Sequence, residues 1–217
     1  MQARIGSGLV NDGELLGRAE DFFPDDPDVR LVFEFDDVDF DEQGAIVTTR
    51  LTSTDRLLPP EEDSPVRIIE SVEEEETWQT EYSLEDGLRI FSEVSETGRF
   101  FVEGGALELP AELRAGAFHQ ALHREHGEEE FGGYEAFSRV VIRIVGLEDL
   151  ETPAGTFEDV LRVERKSRSV DVDEEAIVPD VYTLDETLWF AKGLGVIRSV
   201  TRMDGIEQES VLTEVRR

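Results

Sequence analysis

The sequence predicts a mainly β protein, with a strongly curved antiparallel sheet that forms an open or half barrel and carries one or two short helices. Three observations lead to this prediction. Apolar and charged residues alternate with a period of two along most of the chain, tight-turn sequences separate the alternating runs, and 39% of the 217 residues are hydrophobic. Such alternation is typical of antiparallel strands with one buried face, and the hydrophobic content is enough for a core.

The alternating runs predict the individual strands. In the run at residues 138–146, Val140, Ile142 and Ile144 fall on one face, while Arg139 and Arg143 fall on the other. The same alternation occurs at residues 31–35, 157–165, 195–203 and 209–215. We therefore expect each of these runs to be a strand with apolar side chains inward and charged side chains outward.

Turn sequences predict hairpins between these strands. Asp86-Gly87 and Asp204-Gly205 each lie between two alternating runs, which is a strong hairpin signal. Residues 152–155 fit a type I turn, because proline stands at its second position and glycine at its fourth. This turn would pair residues 140–145 with residues 161–163. Residues 96–98 predict another turn, and residues 171–180 an acidic loop.

Two segments depart from the alternation and predict helices. Residues 110–126 carry an apolar stripe at helical spacing, with Pro110 suited to a first turn and Gly127 suited to the end. The stripe consists of Leu113, Ala117, Phe118, Ala121 and Leu122. Residues 13–22 predict a second, shorter helix, and residues 1–20 as a whole are expected to be poorly ordered or a short helix.

The length fits one β domain spanning residues 1–217, with two similar halves at about 22–108 and 109–217 as a further hypothesis. Residues 78–94 and residues 189–200 each contain an aromatic strand, a Gly-Leu pair and a second strand, about 106 positions apart. A curved sheet built from two repeats would show this pattern. Chance similarity between hairpins is the alternative.

Charge predicts the surroundings of the protein. The chain has 52 acidic and 21 basic residues, a net charge of −31, only two lysines (Lys166 and Lys192) and a single asparagine, Asn11. Such a surface repels itself unless salt screens it, so this composition predicts adaptation to a very salty environment. The alternative is an acidic surface selected for solubility. The acidic surface disfavours nucleic-acid binding as a function, since a phosphate backbone requires a basic surface.

The cysteine content, the apolar runs and the first residues limit the possible cellular locations of the protein. The chain has no cysteine, which excludes disulfides and thiolate chemistry, and no apolar run near 18 residues that could span a membrane as a helix. The first residues lack the apolar region of a signal peptide. Either the protein is cytoplasmic, or a signal was removed, Met1 was supplied afterwards, and the protein is extracytoplasmic, in the periplasm or at the cell surface.

Two segments carry a family resemblance. VGLEDLETPAGTFEDVLRVE at residues 145–164, followed by TLWFAKGLGVIRS at residues 187–199, resembles the TapB-like family of exported bacterial β proteins, distant relatives of the LolA-type lipoprotein carriers. DFFPDDPDVRLVFEF at residues 21–35 and LELPAELRAGAF at residues 107–118 are similar to its opening and mid-chain motifs. The residues we carry over as a structural motif are Pro153, Gly155, Phe157, Trp189, Phe190, Gly193 and Gly195.

The resemblance implies a LolA-like open or half barrel outside the cytoplasm, with no established activity. It also implies a concave face that binds a lipid, a lipopeptide or an apolar protein segment. Trp189 and Phe190 are neighbours on a strand and must point to opposite faces. Gly193 and Gly195 flank Leu194, which predicts a turn or bulge. A motif of Trp and Gly without a nucleophile or base indicates architecture and not catalysis.

The histidines provide the alternative hypothesis. His119, His123 and His126 are the only histidines, and on a helix their spacing would place them on one face. Three imidazoles with an open position resemble a catalytic zinc site. However, HREH lacks the glutamate that directly follows the first histidine in the metalloprotease motif. We therefore expect the wet margin of an amphipathic helix, docked through Leu113, Phe118 and Leu122.

Three functional hypotheses remain from the sequence. The first is a non-enzymatic extracytoplasmic β domain of a salt-adapted organism, with an apolar ligand or partner on its concave face. The second is a metal-binding module or metal-dependent enzyme that uses the histidines. The third is a purely structural domain whose interior is filled by its own side chains. No catalytic residue and no cofactor are predicted, because the chain contains no phosphate loop, dinucleotide fingerprint or nucleophile elbow.

Overall fold

A computed structural model of the chain describes residues 13–40, 45–59, 65–74, 76–95, 98–129, 132–171 and 181–217. Within these ranges the elements are β1 (Leu15–Arg18), the 3-10 helix η1 (Ala19–Phe22), β2 (Arg30–Phe40), β3 (Ile46–Leu57), β4 (Val66–Glu73), β5 (Glu76–Ser83), β6 (Leu88–Val94), β7 (Gly98–Leu109), β8 (Glu112–Arg114), β9 (Phe118–Glu129), β10 (Gly132–Thr152), β11 (Gly155–Asp171), β12 (Val181–Ala191), β13 (Gly195–Met203) and β14 (Ile206–Arg216). The prediction of a mainly antiparallel β protein is confirmed.

The sheet closes into a barrel, so the prediction of an open or half barrel was wrong. The strand order is β10-β11-β12-β13-β14-β2-β3-β4-β5-β6-β7-β9, with β9 returning to β10. Two seams close the ring: β14 pairs with β2, and β7 pairs with β9. Alternation in a sequence shows that a strand has one buried face but not which strands meet at the seams. Closure gives each strand of the described ring two neighbours, so none of these strands is an edge strand over its whole length.

Residues 22–108 supply β2–β7, and residues 109–217 supply β8–β14. Both parts of the chain therefore build one barrel, while the internal similarity of the two halves stays a prediction. In the described part of the chain, no helix is long and apolar enough to cross a membrane.

The predicted helix at residues 110–126 was wrong. This segment contains the short strand β8 and the first part of β9, which pairs with β10 over its whole length, from Phe118↔Arg143 to Glu129↔Gly132. Phe118 and Leu122, expected to dock a helix, are 49% and 57% exposed, whereas Leu113 on β8 is fully buried. Pairing along the sheet outweighs the weak helical preference of the segment.

The N-terminal prediction is also corrected where the structure describes it. Residues 15–18 form β1, and only residues 19–22 are helical, as a 3-10 turn. β1 pairs with β8 in a separate two-stranded sheet. Residues 1–12 lie outside the described residues.

The predicted hairpins are confirmed. Asp86-Gly87 lies between the paired strands β5 and β6, and Asp204-Gly205 between β13 and β14. Pro153-Ala154 connects β10 to β11, with Thr152 paired to Gly155. Two bulges shift residues 146–148 by one position, so Leu147 pairs with Leu161, and beyond them Ile144 pairs with Val163 as in a regular hairpin. The expected pairing of residues 140–145 with residues 161–163 was therefore wrong except at Ile144, because residues 140–143 pair with residues 164–167. The predicted features at residues 96–97 and 172–180 fall outside the described residues.

The hairpin connections give the barrel two distinct ends. The β5–β6 and β12–β13 connections, the end of β3 and the start of β4 lie at one end, together with η1 and the β1–β8 sheet, and we call this the plugged end. Phe22 of η1, Leu113 of β8 and Leu109 at the end of β7 have no exposed surface and join the main core of the barrel. A second cluster packs around Trp189, with Val160, Ile197 and Leu212 fully buried.

Candidate ligand cavity

A cavity of about 140 Å³ lies inside the barrel beneath the plugged end. Residues from η1 and the following turn, from the ends of strands β2–β4 and β6, and from the β12–β13 connection all line it. Its volume is close to the ~150 Å³ of an engineered apolar cavity that binds benzene. The side chains of the described residues thus do not fill the barrel interior completely, which counts against the purely structural hypothesis.

Aromatic side chains make up much of the cavity wall. Phe22, Phe23, Phe33, Tyr82 and Phe190 all line it, and the four phenylalanines are buried. The rings of Phe23 and Tyr82 lie 5.3 Å apart between centroids, at an angle of 60°. This tilted geometry is a favoured aromatic pair and fixes both rings in place. The wall therefore contains a packed aromatic pair among its lining residues.

The cavity also has a polar side, formed by Asp55 of β3, Ser71 of β4 and Glu108 of β7. Asp55 lies opposite Ser71 in the β3–β4 ladder, and the two side chains are hydrogen-bonded. Desolvation inside the barrel raises the pKa of Asp55 to about 6, with the Ser71 hydrogen bond opposing the shift. Desolvation also raises the pKa of Tyr82, and the negative charges of Glu108, Asp55 and Glu93 add to that effect.

A charged triad fixes Glu108. The Arg165 guanidinium donates to both carboxylate oxygens of Glu186, at 2.5 and 2.9 Å, and also to Glu108. Desolvation favours the neutral form of Arg165, but the charges and hydrogen bonds of the two glutamates outweigh it and raise the pKa of Arg165. Two carboxylates around one guanidinium leave this largely buried triad with a net negative charge.

The glycines of the β12–β13 connection bring that turn close to the plug. Gly193 (φ 69°) and Gly195 (φ 82°) both have the left-handed backbone that favours glycine. The Gly193 amide donates to the Asp21 carbonyl at 2.9 Å. A Cβ atom at Gly193 would lie 3.2 Å from an Asp25 carboxylate oxygen, and one at Gly195 would lie 3.1 Å from Pro24. Both positions line the cavity and form part of its mouth.

The other residues of the structural motif contribute to packing. Phe190 belongs to the main core and lines the cavity, while its neighbour Trp189 belongs to the second core. The Trp189 indole donates to Glu148 at 2.6 Å, and the guanidinium of Arg198 lies 4.9 Å from its ring centroid. Phe157 is partly buried and packs against the second cluster, around Trp189.

Pro153 and Gly155 belong to the β10–β11 turn and lie outside the cavity. Of the seven motif residues, Phe190, Gly193 and Gly195 are the ones that line the cavity.

An acidic groove adjoins the cavity at its mouth. Val29, Gly193, Leu194 and Asp26 line both, so the two spaces lie side by side there. The groove carries four carboxylates and two basic side chains: Glu20, Asp21, Asp25 and Asp26, with Lys192 and Arg217. The approach to the cavity is therefore negatively charged, which favours cations over anions at the entrance.

The strand conformation of β9 separates the three histidines. His123 is buried and contacts Glu125 at 2.7 Å through its Nε2, while His126 contacts Glu103 at 3.1 Å. His119 and His123 share one face of the strand, and His126 points to the other. Desolvation lowers the pKa of His119. Among the described residues, no three His, Asp or Glu side chains are grouped to hold a metal ion.

The sequence analysis missed Asp55, Tyr82, Glu108, Arg165 and Glu186. For Arg165 a signal was present. Leu161 and Val163 face inward on β11, and a period of two places Arg165 on the same face. A buried arginine must be paired, so an interior acidic partner could have been predicted, although not which one. Asp55 lies in a run of threonines, serines and charges without clear alternation, so no pattern marked it.

We expect Asp55→Asn to stabilise the protein at pH 8. The pKa of Asp55 is higher in the folded protein than its ordinary value of 3.8, so folding favours the protonated acid. That contribution is present below about pH 4 and is lost as the pH rises through about 6. Replacing the charge with a neutral amide should therefore raise the free energy of unfolding by about 1–3 kcal/mol at pH 8 and by little below pH 4.

Denaturant unfolding at several pH values, in constant high salt, measures this difference. Asp204→Asn in the exposed β13–β14 turn serves as the control, since it removes the same charge away from the cavity. A gain for Asp55→Asn that is the same at pH 4 and pH 8 would contradict a desolvated, ionised Asp55.

The comparisons with known proteins identify the fold and not a family. No family model matches the sequence, and no curated protein matches it. A solved structure of a protein described as exported, with a YmcC-like fold, from Bacteroides fragilis NCTC 9343, is 13% identical. The match covers 90% of this chain and 99% of that one, with a TM-score of 0.54. A protein described as a lipoprotein, from Parabacteroides distasonis ATCC 8503, is 12% identical over 90% and 98% of the two chains, with a TM-score of 0.49.

These comparisons do not support the TapB-like and LolA-like names suggested by the motifs. At 13% identity over nearly the full length of both chains, the likeness shows that this chain has the barrel fold of the exported Bacteroides fragilis protein.

Proposed function

We propose that this protein is a non-enzymatic, extracytoplasmic binding protein that holds a small apolar group in the cavity at the plugged end of its barrel. The observation that carries the proposal is the cavity itself, about 140 Å³ in volume and walled mainly by apolar and aromatic side chains. Apolar cavities with a few placed polar groups are the usual form of small-ligand sites, and the mouths of β-barrels are a common location. The fold shared with a protein described as exported supports the location.

The size of the cavity restricts the occupant. Sites for drug-sized ligands are roughly 300–1,000 Å³, so this cavity is too small to enclose a complete lipid. It accommodates a benzene-sized group. The occupant is therefore a group of about benzene size, and the remainder of a larger ligand lies in the adjoining groove.

Calorimetric titration with toluene tests the proposal, because toluene is close to the cavity in size and carries no charge. We expect saturable one-to-one binding to the folded protein in molar salt. Val196→Phe fills part of the cavity from its wall and should abolish binding. Val211→Phe makes the same change on β14 outside the cavity and should leave binding intact. Absence of saturable binding to the folded wild type, or equal binding by the two variants, would contradict the proposal.

A further inference from the structure

We infer that the group bound in this cavity is a small organic ammonium cation, of the size of a trimethylammonium group. This inference rests on the proposed binding function and names the class of ligand. Three features of the same site carry it: the aromatic wall, a carboxylate without a cationic partner, and a negatively charged mouth.

The aromatic wall suits a cation as well as an apolar group. Phe22, Phe23, Phe33, Tyr82 and Phe190 surround a space about as large as a benzene ring. Aromatic faces attract cations through the negative potential above the ring, and enclosure by several rings is how proteins recognise quaternary ammonium groups. Phe23 and Tyr82, whose rings lie 5.3 Å apart at 60°, both line this space.

Asp55 supplies a charge that nothing in the described structure neutralises. Its carboxylate is bonded to the Ser71 hydroxyl, and no ion pair joins it to a basic side chain of the described residues. Arg56, the next residue, also lines the cavity but pairs with Glu70. Arg165 is already paired with both Glu108 and Glu186. The polar side of the cavity therefore carries excess negative charge that a bound cation would balance.

The acidic groove at the mouth of the cavity also favours cations. Four carboxylates and two basic side chains line the groove that shares Asp26, Gly193 and Leu194 with the cavity. Lys192 lies 4.0 Å from Asp159, and Glu20 is paired with Arg18 at 2.9 Å, so Asp21, Asp25 and Asp26 carry the negative charge of the groove. The charge of the groove would attract an ammonium ion and repel a fatty acid or another anion.

The site favours organic over inorganic cations. Na⁺ and K⁺ need several oxygen ligands to replace their water, whereas the described cavity wall is mainly apolar and aromatic. An alkylammonium ion is weakly hydrated and can exchange water for ring faces and for the Asp55 carboxylate. A high concentration of inorganic salt would therefore compete poorly for the cavity.

Calorimetry with a matched pair of ligands tests the inference. Choline carries a trimethylammonium group, and 3,3-dimethylbutan-1-ol is its uncharged isostere. We measure both at pH 8 in about 2 M NaCl, where exposed charges are screened but desolvated ones much less. We expect choline to bind at least about tenfold more tightly than the alcohol, which is the scale of a desolvated cation–aromatic contact together with one charge pair.

Two variants complete the design. Asp55→Asn keeps the hydrogen bond to Ser71 but removes the charge, so it should weaken choline binding by about tenfold or more and weaken binding of the alcohol far less. Asp204→Asn removes an equal charge from the β13–β14 turn and should change neither. Because Asp55→Asn is expected to be more stable than wild type at this pH, loss of binding would not reflect unfolding.

The outcomes separate the inference from the proposed function. Equal binding of choline and the alcohol, or unchanged choline binding by Asp55→Asn, overturns the ammonium inference and leaves an apolar-group binding protein. If toluene binds and choline does not, the ammonium inference is likewise overturned, and the protein remains an apolar-group binding protein. Failure of toluene, choline and the alcohol together overturns both.

Discussion

Phe190→Ala is expected to be among the most destabilising single substitutions in this protein, with a loss of about 3–5 kcal/mol in the free energy of unfolding. The Phe190 side chain is 2% exposed, belongs to the main core and forms part of the cavity wall. Its removal loses the burial of a large aromatic ring and enlarges a space that is already empty, and the cost of such a change grows with cavity volume. Denaturant unfolding in molar salt measures the loss.

Phe118→Ala is the matched control. It is the same substitution, but Phe118 is 49% exposed on β9 and contacts Arg143 at the surface. We expect a loss below about 1 kcal/mol there. Similar losses at the two positions would mean that β9 does not face outward at Phe118, or that Phe190 does not face the barrel interior.

The second large effect concerns salt. At low ionic strength the net charge of −31 opposes the compact state, and salt reduces this repulsion as the screening length falls from about 10 Å at 0.1 M to about 3 Å at 1 M. We therefore expect the Tm to rise by more than about 10 °C between 0.1 M and 2 M KCl, given that each kcal/mol corresponds to about 2–4 °C in a chain of this length.

Potassium and sodium chloride should act alike in this experiment, because screening depends on ionic strength. Sucrose should raise the Tm less, since it acts through exclusion from the surface and does not screen charge. A Tm that stays constant across the salt range, or that sucrose raises as much as KCl does, would contradict adaptation to salt.

Much of the barrel could be predicted from the sequence, because a strand with one buried face shows alternating apolar and polar residues. Val140, Ile142 and Ile144 on β10 and Leu161 and Val163 on β11 are all buried, as their alternation indicated. The Asp-Gly turns were also placed correctly, because those sequences favour the backbone of tight hairpins. These features are local, and a short window of sequence contains all the information that determines them.

The closure of the barrel and the β9 strand were not predictable in this way. Residues 110–126 have apolar residues at helical spacing, but β9 forms because β10 offers a complete partner strand. The closure depends on the β14–β2 seam, which joins segments distant in the chain, and on the β7–β9 seam, which passes over β8. Pairing between distant segments depends on the whole sheet, and no short run of residues encodes it.

The candidate site was predicted in part. Phe190, Gly193 and Gly195 were singled out as architecture, and they line the cavity, while Asp55, Tyr82 and Glu108 carried no recognisable signal. The spacing of the three histidines would place them on one face of a helix, but on a strand it places them on both faces. A site built from side chains of several strands can be predicted only when the order of the strands in the sheet is known.

A crystal structure of the protein soaked with iodobenzene would test the central claim most directly, because anomalous scattering locates the iodine atom. The account predicts one well-occupied iodine site inside the barrel, between Phe190, Leu57 and Tyr82, with the barrel otherwise unchanged. A closed barrel in which these side chains fill the space and no iodine lies among them would contradict it.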